Sequence, residues 1–172
     1  MATVSRSSTS AGLLLFRRRD GHLEVLLGHM GGPFWANKDA GAWTVPKGEH
    51  GPDEDAHAAA LREFAEEVGR PPPPGEDLPL GTVRQRSGKS VTVWAREGDL
   101  DADAAVSNTF EVEWPPGSGR RRSFPELDRM RWVPADEART LVVAAQAELV
   151  DRLVSALGAP GARPGIGVDT AG

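Results

Sequence analysis

Three glutamates lie at a spacing that would place them together on one face of a helix. Glu66 and Glu67 follow Glu63 by three and four residues, the separations at which helical side chains are neighbours. Like charges at this spacing cost about 0.2–0.5 kcal/mol per pair, and a hard divalent cation would remove that cost. Carboxylate oxygens, water and substrate phosphate are the ligands that Mg²⁺ prefers. The cluster therefore predicts a Mg²⁺ site, with Mn²⁺ as a substitute, and the alternative is a solvated acidic surface.

The segment around the glutamates has the apolar periodicity of an amphipathic helix. Its apolar residues recur at intervals of three and four and are Leu61, Phe64, Ala65 and Val68. This period predicts an apolar stripe that packs on the core, with the glutamates on the opposite face. Asp53 is the predicted N-cap, and Gly69 with the prolines from Pro71 onward is expected to end the helix.

The glycines and charged residues around the cluster form one extended pattern. Its members in chain order are Gly48, Glu54, Arg62, Glu63, Phe64, Glu66, Glu67 and Gly69. This pattern resembles the Nudix box of the Nudix hydrolase superfamily, the MutT-like proteins. Every charged position and both glycines of the box are present. One position differs, because Arg70 stands where the box has an aliphatic residue.

The resemblance implies a role for each residue of the site. It implies that Glu63, Glu66 and Glu67 bind Mg²⁺. It also implies that the backbone carbonyl of Lys47 adds a ligand and that Glu54 and Arg62 support and orient the carboxylates. Several family members add a glutamate six residues before a tryptophan on the last strand, the separation found between Glu126 and Trp132. Glu126 is therefore implied as a late metal ligand or general base.

The residues themselves leave plainer structural roles open. Glu54 lies near the predicted start of the helix, where the helix dipole favours a negative charge. Arg62 is spaced to form an i,i+4 ion pair with Glu66. Glu126 also fits an ordinary polar loop residue.

Two other groups of residues are candidates for substrate binding. Phe34 and Trp35 form an aromatic pair that could stack on a nucleobase, or a local hydrophobic cluster that covers the sheet edge. Candidate phosphate-binding cations are Lys89 and the loop arginines Arg120, Arg121 and Arg122. Arginines in a glycine-containing loop suit charge-assisted bonds to phosphate, and a solvated basic loop is the alternative.

Strand-like segments flank the acidic helix on both sides. They cover residues 11–18, 23–29, 43–46, 81–86, 90–96, 109–114 and 130–133. Turns at Asp20-Gly21 and around Gly88 predict two hairpins, and residues 115–122 are expected to form a loop. Apolar residues spaced by fours predict one long helix over residues 135–157.

This order of elements predicts an α/β fold with a mixed β-sheet sandwiched between helices. The resemblance implies the same architecture, because it is the Nudix fold. We expect one Nudix hydrolase domain over residues 11–157. A flexible leader is expected at residues 1–10 and a disordered tail at residues 158–172.

Composition excludes several functional classes. The chain has 172 residues, no cysteine and a net charge of −5, so neither disulfides nor cysteine-bound zinc is available and binding to duplex nucleic acid is not expected. The polar residues 1–10 lack the apolar centre of a signal peptide, and no apolar run approaches the ~20 residues of a membrane span. We therefore expect a cytoplasmic protein without a membrane partner.

The expected function is Mg²⁺-dependent hydrolysis of a pyrophosphate bond in a nucleoside diphosphate-linked substrate, most simply a (di)nucleoside polyphosphate or NTP. Segments that resemble diadenosine polyphosphate hydrolases and a bacterial branch of NTP pyrophosphohydrolases are residues 43–48, 107–119 and 124–132. The chain has no tyrosine, although asymmetric diadenosine tetraphosphate hydrolases carry one after the box. The alternatives are therefore the same chemistry on ADP-ribose, nucleotide sugars or inositol polyphosphates, or a non-catalytic nucleotide-binding module. A homodimer is compatible with the sequence.

Overall fold

The computed structural model describes residues 9–158. Of the predicted leader at residues 1–10 and the predicted tail at residues 158–172, residues 1–8 and 159–172 lie outside the described residues. Thr9 and Ser10, which were assigned to the leader, belong to the first strand. The domain therefore begins at least two residues earlier than the sequence predicts.

Nine strands and three α-helices make up the described part of the chain. The strands are β1 (Thr9–Arg19), β2 (His22–Met30), β3 (Trp43–Thr44), β4 (Lys47–Glu49), β5 (Asp77–Arg84), β6 (Ser90–Glu97), β7 (Thr109–Glu113), β8 (Arg121–Pro125) and β9 (Leu127–Pro134). The helices are α1 (Ala56–Val68), α2 (Ala135–Leu141) and α3 (Ala147–Ala156), with short 3₁₀ turns at Ala102–Ala104 and Ala144–Gln146.

The strands form a mixed seven-stranded sheet and a separate two-stranded sheet. The main sheet has the order β3-β2-β1-β6-β5, with β4 also paired to β1 and β9 also paired to β2. The β1–β6 pair is parallel, and the other pairs in this sheet are antiparallel. β7 and β8 pair only with each other among the described strands. β1 is thus the central strand, and it places β4 beside the acidic helix.

Side chains of β1 alternate between the two faces of the sheet. Leu13 and Leu15 pack against α1, whereas Leu14 and Phe16 pack against α2 and α3. This alternation follows from the two-residue period of a strand, and it builds one core layer on each face. The predicted α/β sandwich is confirmed. No helix within residues 9–158 is long and apolar enough to cross a membrane.

The predicted long C-terminal helix is wrong. α2 ends at Leu141, and the chain is extended at Val142 before α3 begins at Ala147. Val142 forms a parallel bridge to Trp43, and the Val143 N–H donates to the Trp43 carbonyl oxygen at 2.9 Å. Two adjacent β-branched residues disfavour a continuous helix, and these bonds to β3 replace the missing helical ones.

Two further local predictions are wrong. The N-cap of α1 is Asp55, whose carboxylate accepts a hydrogen bond from the Ala58 N–H at 2.9 Å, and not Asp53. Glu54 therefore lies outside the helix, where it is free to turn toward other side chains. Arg121 and Arg122 belong to β8 and not to a loop, because the hairpin with β7 extends past the glycines of the turn.

Asp77, at the start of β5, lies in a buried charged network. Its carboxylate accepts hydrogen bonds from Arg96 Nε at 2.6 Å, from Arg96 Nη2 at 2.8 Å and from His57 on α1. Burial by itself raises the pKa of this carboxyl group, but the hydrogen bonds from Arg96 and His57 outweigh it, so the pKa of Asp77 lies below its usual value. The network ties α1 to the neighbouring strands β5 and β6.

We expect Asp77→Asn to lower the free energy of unfolding by about 2 kcal/mol near neutral pH, because it breaks a buried charged network. A carboxyl group with a lowered folded-state pKa stabilises the fold above its unfolded pKa and loses this effect as the pH falls through its folded pKa. The difference between wild type and variant should therefore narrow below about pH 4. Urea unfolding at neutral and acidic pH measures the loss of stability and its dependence on pH. The exposed Asp103→Asn is the control. A difference that is constant with pH would contradict the prediction.

Candidate active site

The side chain of Glu63 extends from α1 toward β4 and lies against the backbone of Gly48. Its side chain is only 10% exposed. A β-carbon at Gly48 would overlap the Glu63 carboxylate, so the carboxylate occupies the space that any other residue at position 48 would fill. Burial raises the pKa of Glu63, and Arg62 opposes that shift. The first glycine of the box is therefore needed for the approach of this glutamate.

Glu67 lies one turn further along α1 and is also buried. Its Oε2 atom accepts a hydrogen bond from the Lys47 backbone N–H at 2.9 Å. Burial raises the pKa of Glu67 to about 8, and the bond from Lys47 opposes that rise. Glu63 and Glu67 are therefore on the sheet-facing side of α1. The prediction that the glutamates lie opposite the apolar stripe is wrong for these two, whereas Glu66 is exposed.

Arg62 holds the carboxylates that flank it. Its guanidinium donates two bonds of 2.8 Å to Glu54, one of 2.8 Å to Glu63 Oε1 and one of 3.2 Å to Glu66 Oε1. Hydrogen bonding to Arg62 lowers the pKa of Glu54, although desolvation opposes that shift. One of these contacts matches a sequence-based expectation: the Arg62–Glu66 pair has the predicted i,i+4 spacing. Glu54 contacts the other carboxylates only through Arg62.

Lys47 and Glu126 complete the cluster. Burial lowers the pKa of Lys47, with the charges of Glu67 and Glu126 opposing that shift and the charge of Lys89 adding to it. Burial also raises the pKa of Glu126, and Lys47 opposes that rise. The Lys47 side chain is thus the positive charge near which Glu67 and Glu126 come together, although they are distant in the sequence.

The backbone of Asn108 fixes the position of Glu126 relative to α1. The Asn108 N–H donates to the Glu66 carbonyl oxygen at 3.0 Å, and the Asn108 carbonyl oxygen accepts from the Glu126 N–H at 2.8 Å. The Glu126 carbonyl oxygen accepts from the Gly31 N–H at 2.9 Å. Sequence reasoning did not identify Asn108 or Gly31. A glycine pair at positions 31 and 32 was the only local signal, and a β-carbon at Gly31 would overlap the Pro125 carbonyl oxygen.

The donor chemistry of this cluster fits a hard divalent cation. Its side-chain ligands are carboxylate oxygens, the donors that suit Mg²⁺ and Mn²⁺. Within residues 9–158, however, no three acidic or histidine side chains converge on one point as metal ligands. The physical reason is that Arg62 holds Glu63 and Glu66, while the Lys47 N–H holds Glu67.

The aromatic pair predicted at Phe34 and Trp35 is not formed. The Phe34 side chain is 59% exposed, and its ring lies edge-on to Trp114 with centroids 5.5 Å apart. Trp35 instead packs against the main core, with Lys38 Nζ 5.2 Å from its ring centroid. Consecutive residues point in different directions here, so the exposed aromatic surface joins Phe34 to Trp114, at the end of β7.

His29 anchors the loop that carries Phe34. The buried imidazole places Nε2 2.7 Å from the Lys38 carbonyl oxygen and Nδ1 within 3.0 Å of both oxygens of Asp128. A carbonyl oxygen only accepts, so Nε2 carries the proton in that bond. The loop between β2 and β3 is thereby tied to β9, close to Glu126.

The candidate phosphate-binding cations occupy two places. Lys89 Nζ lies 3.3 Å from Glu49 Oε1, near enough to the cluster to lower the pKa of Lys47. Arg120, Arg121 and Arg122 are exposed on the β7–β8 hairpin. The Arg120 carbonyl oxygen accepts the Trp114 N–H at 2.9 Å, which places Arg120 beside Trp114. Arg121 Nε lies 3.6 Å from Glu111 Oε2, and the Arg122 guanidinium lies 5.6 Å from the Phe124 ring centroid.

Solved structures share this fold. The NUDIX domain of Shewanella oneidensis NrtR, crystallised with ADP ribose, has a TM-score of 0.58 and 18% identity over 87% of each chain. The C. elegans Ap4A hydrolase has a TM-score of 0.55 and 23% identity over 84% of this chain and 94% of that one. The MutT protein from Methanosarcina mazei Go1 has a TM-score of 0.55 and 21% identity over 88% and 95%. At these identities the similarity shows the fold alone.

The family itself is shown by the sequence. No curated protein sequence matches the chain at a significant level, but the family model of the NUDIX domain matches residues 7–153. Proteins of this family generally use divalent metal cations. Since the match covers most of the chain, the protein belongs to the NUDIX family and is a hydrolase that acts on phosphoric anhydride bonds.

Proposed function

We propose that this hydrolase is Mg²⁺-dependent and cleaves a pyrophosphate bond in a (di)nucleoside polyphosphate or NTP. The observation that carries the proposal is the packing of Glu63 and Glu67 against β4, with the backbone of Asn108 joining Glu126 to Glu66 on the same helix. The proposed metal-binding groups are the carboxylates of Glu63, Glu66, Glu67 and Glu126 and the backbone carbonyl of Lys47.

Each group of the site has a separate role in the proposed reaction. A bound divalent cation supplies charge neutralisation at phosphate oxygens and lowers the pKa of a coordinated water. Glu67 and Glu126 are the proposed bases that accept a proton from water, and each must be ionised to do so. Arg62 restrains Glu63 and Glu66, so the carboxylates are ordered before substrate arrives. Lys89 and the three hairpin arginines are the proposed phosphate contacts.

A substrate screen of purified protein tests this proposal. Diadenosine polyphosphates, NTPs, dNTPs, ADP-ribose and nucleotide sugars are incubated with Mg²⁺ or Mn²⁺, with chelated samples as controls, and the products are separated by chromatography. We expect metal-dependent cleavage of polyphosphates to exceed cleavage of the other classes. Faster cleavage of ADP-ribose or a nucleotide sugar would overturn the substrate assignment. Nucleotide binding without any cleavage would favour the non-catalytic alternative.

The exposed Phe34–Trp114 surface is proposed to stack on the nucleobase. Stacking of a base on an aromatic side chain contributes about 1–3 kcal/mol. We therefore expect Phe34→Ala to raise KM for the nucleotide about tenfold with little change in kcat. Steady-state kinetics measures this, and Val154→Ala, an exposed apolar position on α3, is the control.

A base-free competitor separates stacking from general damage to the site. Inorganic tripolyphosphate carries the phosphates of the substrate without a base, so its inhibition constant should be the same for wild type and Phe34→Ala. Equal weakening of tripolyphosphate and nucleotide would contradict the stacking role. A cytoplasmic location and a homodimer remain predictions, which cell fractionation and light scattering would test.

A further inference from the structure

A cavity of about 590 Å³ lies apart from the carboxylate cluster. It is formed by the turn between β1 and β2, the start of α2 and the end of α3. These helices cover the sheet face opposite α1, so the sheet separates the cavity from Glu63 and Glu67. Its volume falls within the roughly 300–1,000 Å³ of small-molecule binding sites.

The cavity continues the main core beyond the end of α3. Leu14 and Phe16 face α2 and α3, and Arg18 follows them on the same face because strand side chains repeat every two residues. Apolar atoms contribute most of the wall's exposed area, and the apolar side chains include Leu23 and Leu157. Val154 lines the cavity while 44% exposed, so an apolar surface reaches the opening.

The charged side chains that line the cavity differ in whether they already have a hydrogen-bond or ion-pair partner. Arg139 and Asp151 pair with each other at 2.7 Å, and Asp136 accepts the Glu137 N–H at 3.0 Å at the start of α2. The Arg18 Nε atom is buried and has no hydrogen-bond partner among the described residues. Arg18 also lines the cavity and forms no ion pair with any described residue, so its charge is available to an anion bound there.

We propose that this cavity binds a small organic anion that combines an apolar body with one carboxylate, the chemistry of a medium-chain fatty acid. The apolar wall receives the body, and Arg18 receives the carboxylate by a charge-assisted hydrogen bond. A cationic head would be repelled by Arg18, which forms no ion pair with any described residue. The site is independent of the pyrophosphohydrolase assignment, because it shares no residue with the carboxylate cluster.

Three ligands with the same eight-carbon body and different heads test the proposal. Octanoate, octanol and octylammonium are titrated into the full chain by calorimetry, each below its micelle concentration. We expect one octanoate per chain and weaker binding of the other two. Absence of octanoate binding, or equal affinity for all three, would overturn the proposal.

Two arginine variants give the decisive comparison. Arg18→Met keeps an apolar stem and removes the guanidinium, so it should weaken octanoate binding about tenfold or more and leave octanol binding unchanged. Arg19→Met makes the same change at the adjacent position, which is exposed and does not line the cavity, and should bind octanoate like wild type. Equal octanoate affinity in the two variants would refute the role of Arg18, and circular dichroism checks that both fold.

Discussion

Replacing Glu67 by glutamine is expected to reduce kcat at least about 100-fold, because the variant loses a proposed metal ligand and base. The amide oxygen of glutamine can still accept the Lys47 N–H that Glu67 accepts at 2.9 Å. Since burial raises the pKa of Glu67 to about 8, an uncharged amide is compatible with this environment. We therefore expect the thermal unfolding midpoint to change little while turnover is lost.

The matched control for this variant is Glu76→Gln, which makes the same change at an exposed glutamate outside the cluster. It should retain wild-type kcat. Both variants are assayed over a range of Mg²⁺ concentrations, so that weakened metal binding is distinguished from loss of a base. Wild-type turnover by Glu67→Gln at saturating Mg²⁺ would remove Glu67 from the proposed site.

The second large effect is expected from Gly48→Ala. The added methyl group would overlap the Glu63 carboxylate, so the carboxylate must move away from β4. That movement involves the end of a flexible side chain and leaves the backbone in place, and we expect stability to fall by less than about 1 kcal/mol. Catalysis depends on side-chain position to within about 0.5 Å, so kcat should fall about 100-fold.

Gly51→Ala is the natural comparison for that variant. Position 51 lies in the same turn region, and a β-carbon there would meet nothing within 4 Å. It should leave both kcat and the urea unfolding midpoint near their wild-type values. If Gly48→Ala lost stability and activity in proportion, the close approach of Glu63 would be a folding requirement only.

The sequence predicted the parts of the fold that depend on local patterns. The apolar run in β1 and the turn at Asp20-Gly21 were sufficient for the central hairpin, where Asp20 and Gly21 both have positive φ values of 52° and 77°. The long C-terminal helix failed because its break depends on a bridge from Val142 to Trp43. A pattern of leucines spaced by fours carries no information about such a distant partner.

The candidate site was likewise predicted where local spacing determines it and not where distant contacts do. The spacing of Glu63, Glu66 and Glu67 identified the cluster, but the burial of two of them depends on Gly48 in a neighbouring strand. The sequence predicts that Phe34 pairs with its neighbour Trp35, whereas the ring that Phe34 contacts belongs to Trp114. Side-chain direction in an irregular loop is set by tertiary contacts, and no sequence period describes it.

The bonds made by Asn108 have a consequence for how this site can vary among related chains. Asn108 connects Glu66 to Glu126 through backbone atoms alone, accepting at 2.8 Å and donating at 3.0 Å. Any residue other than proline can make these two bonds, so the side chain at this position is open to change. The length of the chain is not, because one residue added between Asn108 and the start of β7 would move Asn108 out of line with Glu126, while Thr109 remained paired with Pro125. The geometry around Glu126 therefore depends on the number of residues between Asn108 and β7 and not on the type of side chain at position 108.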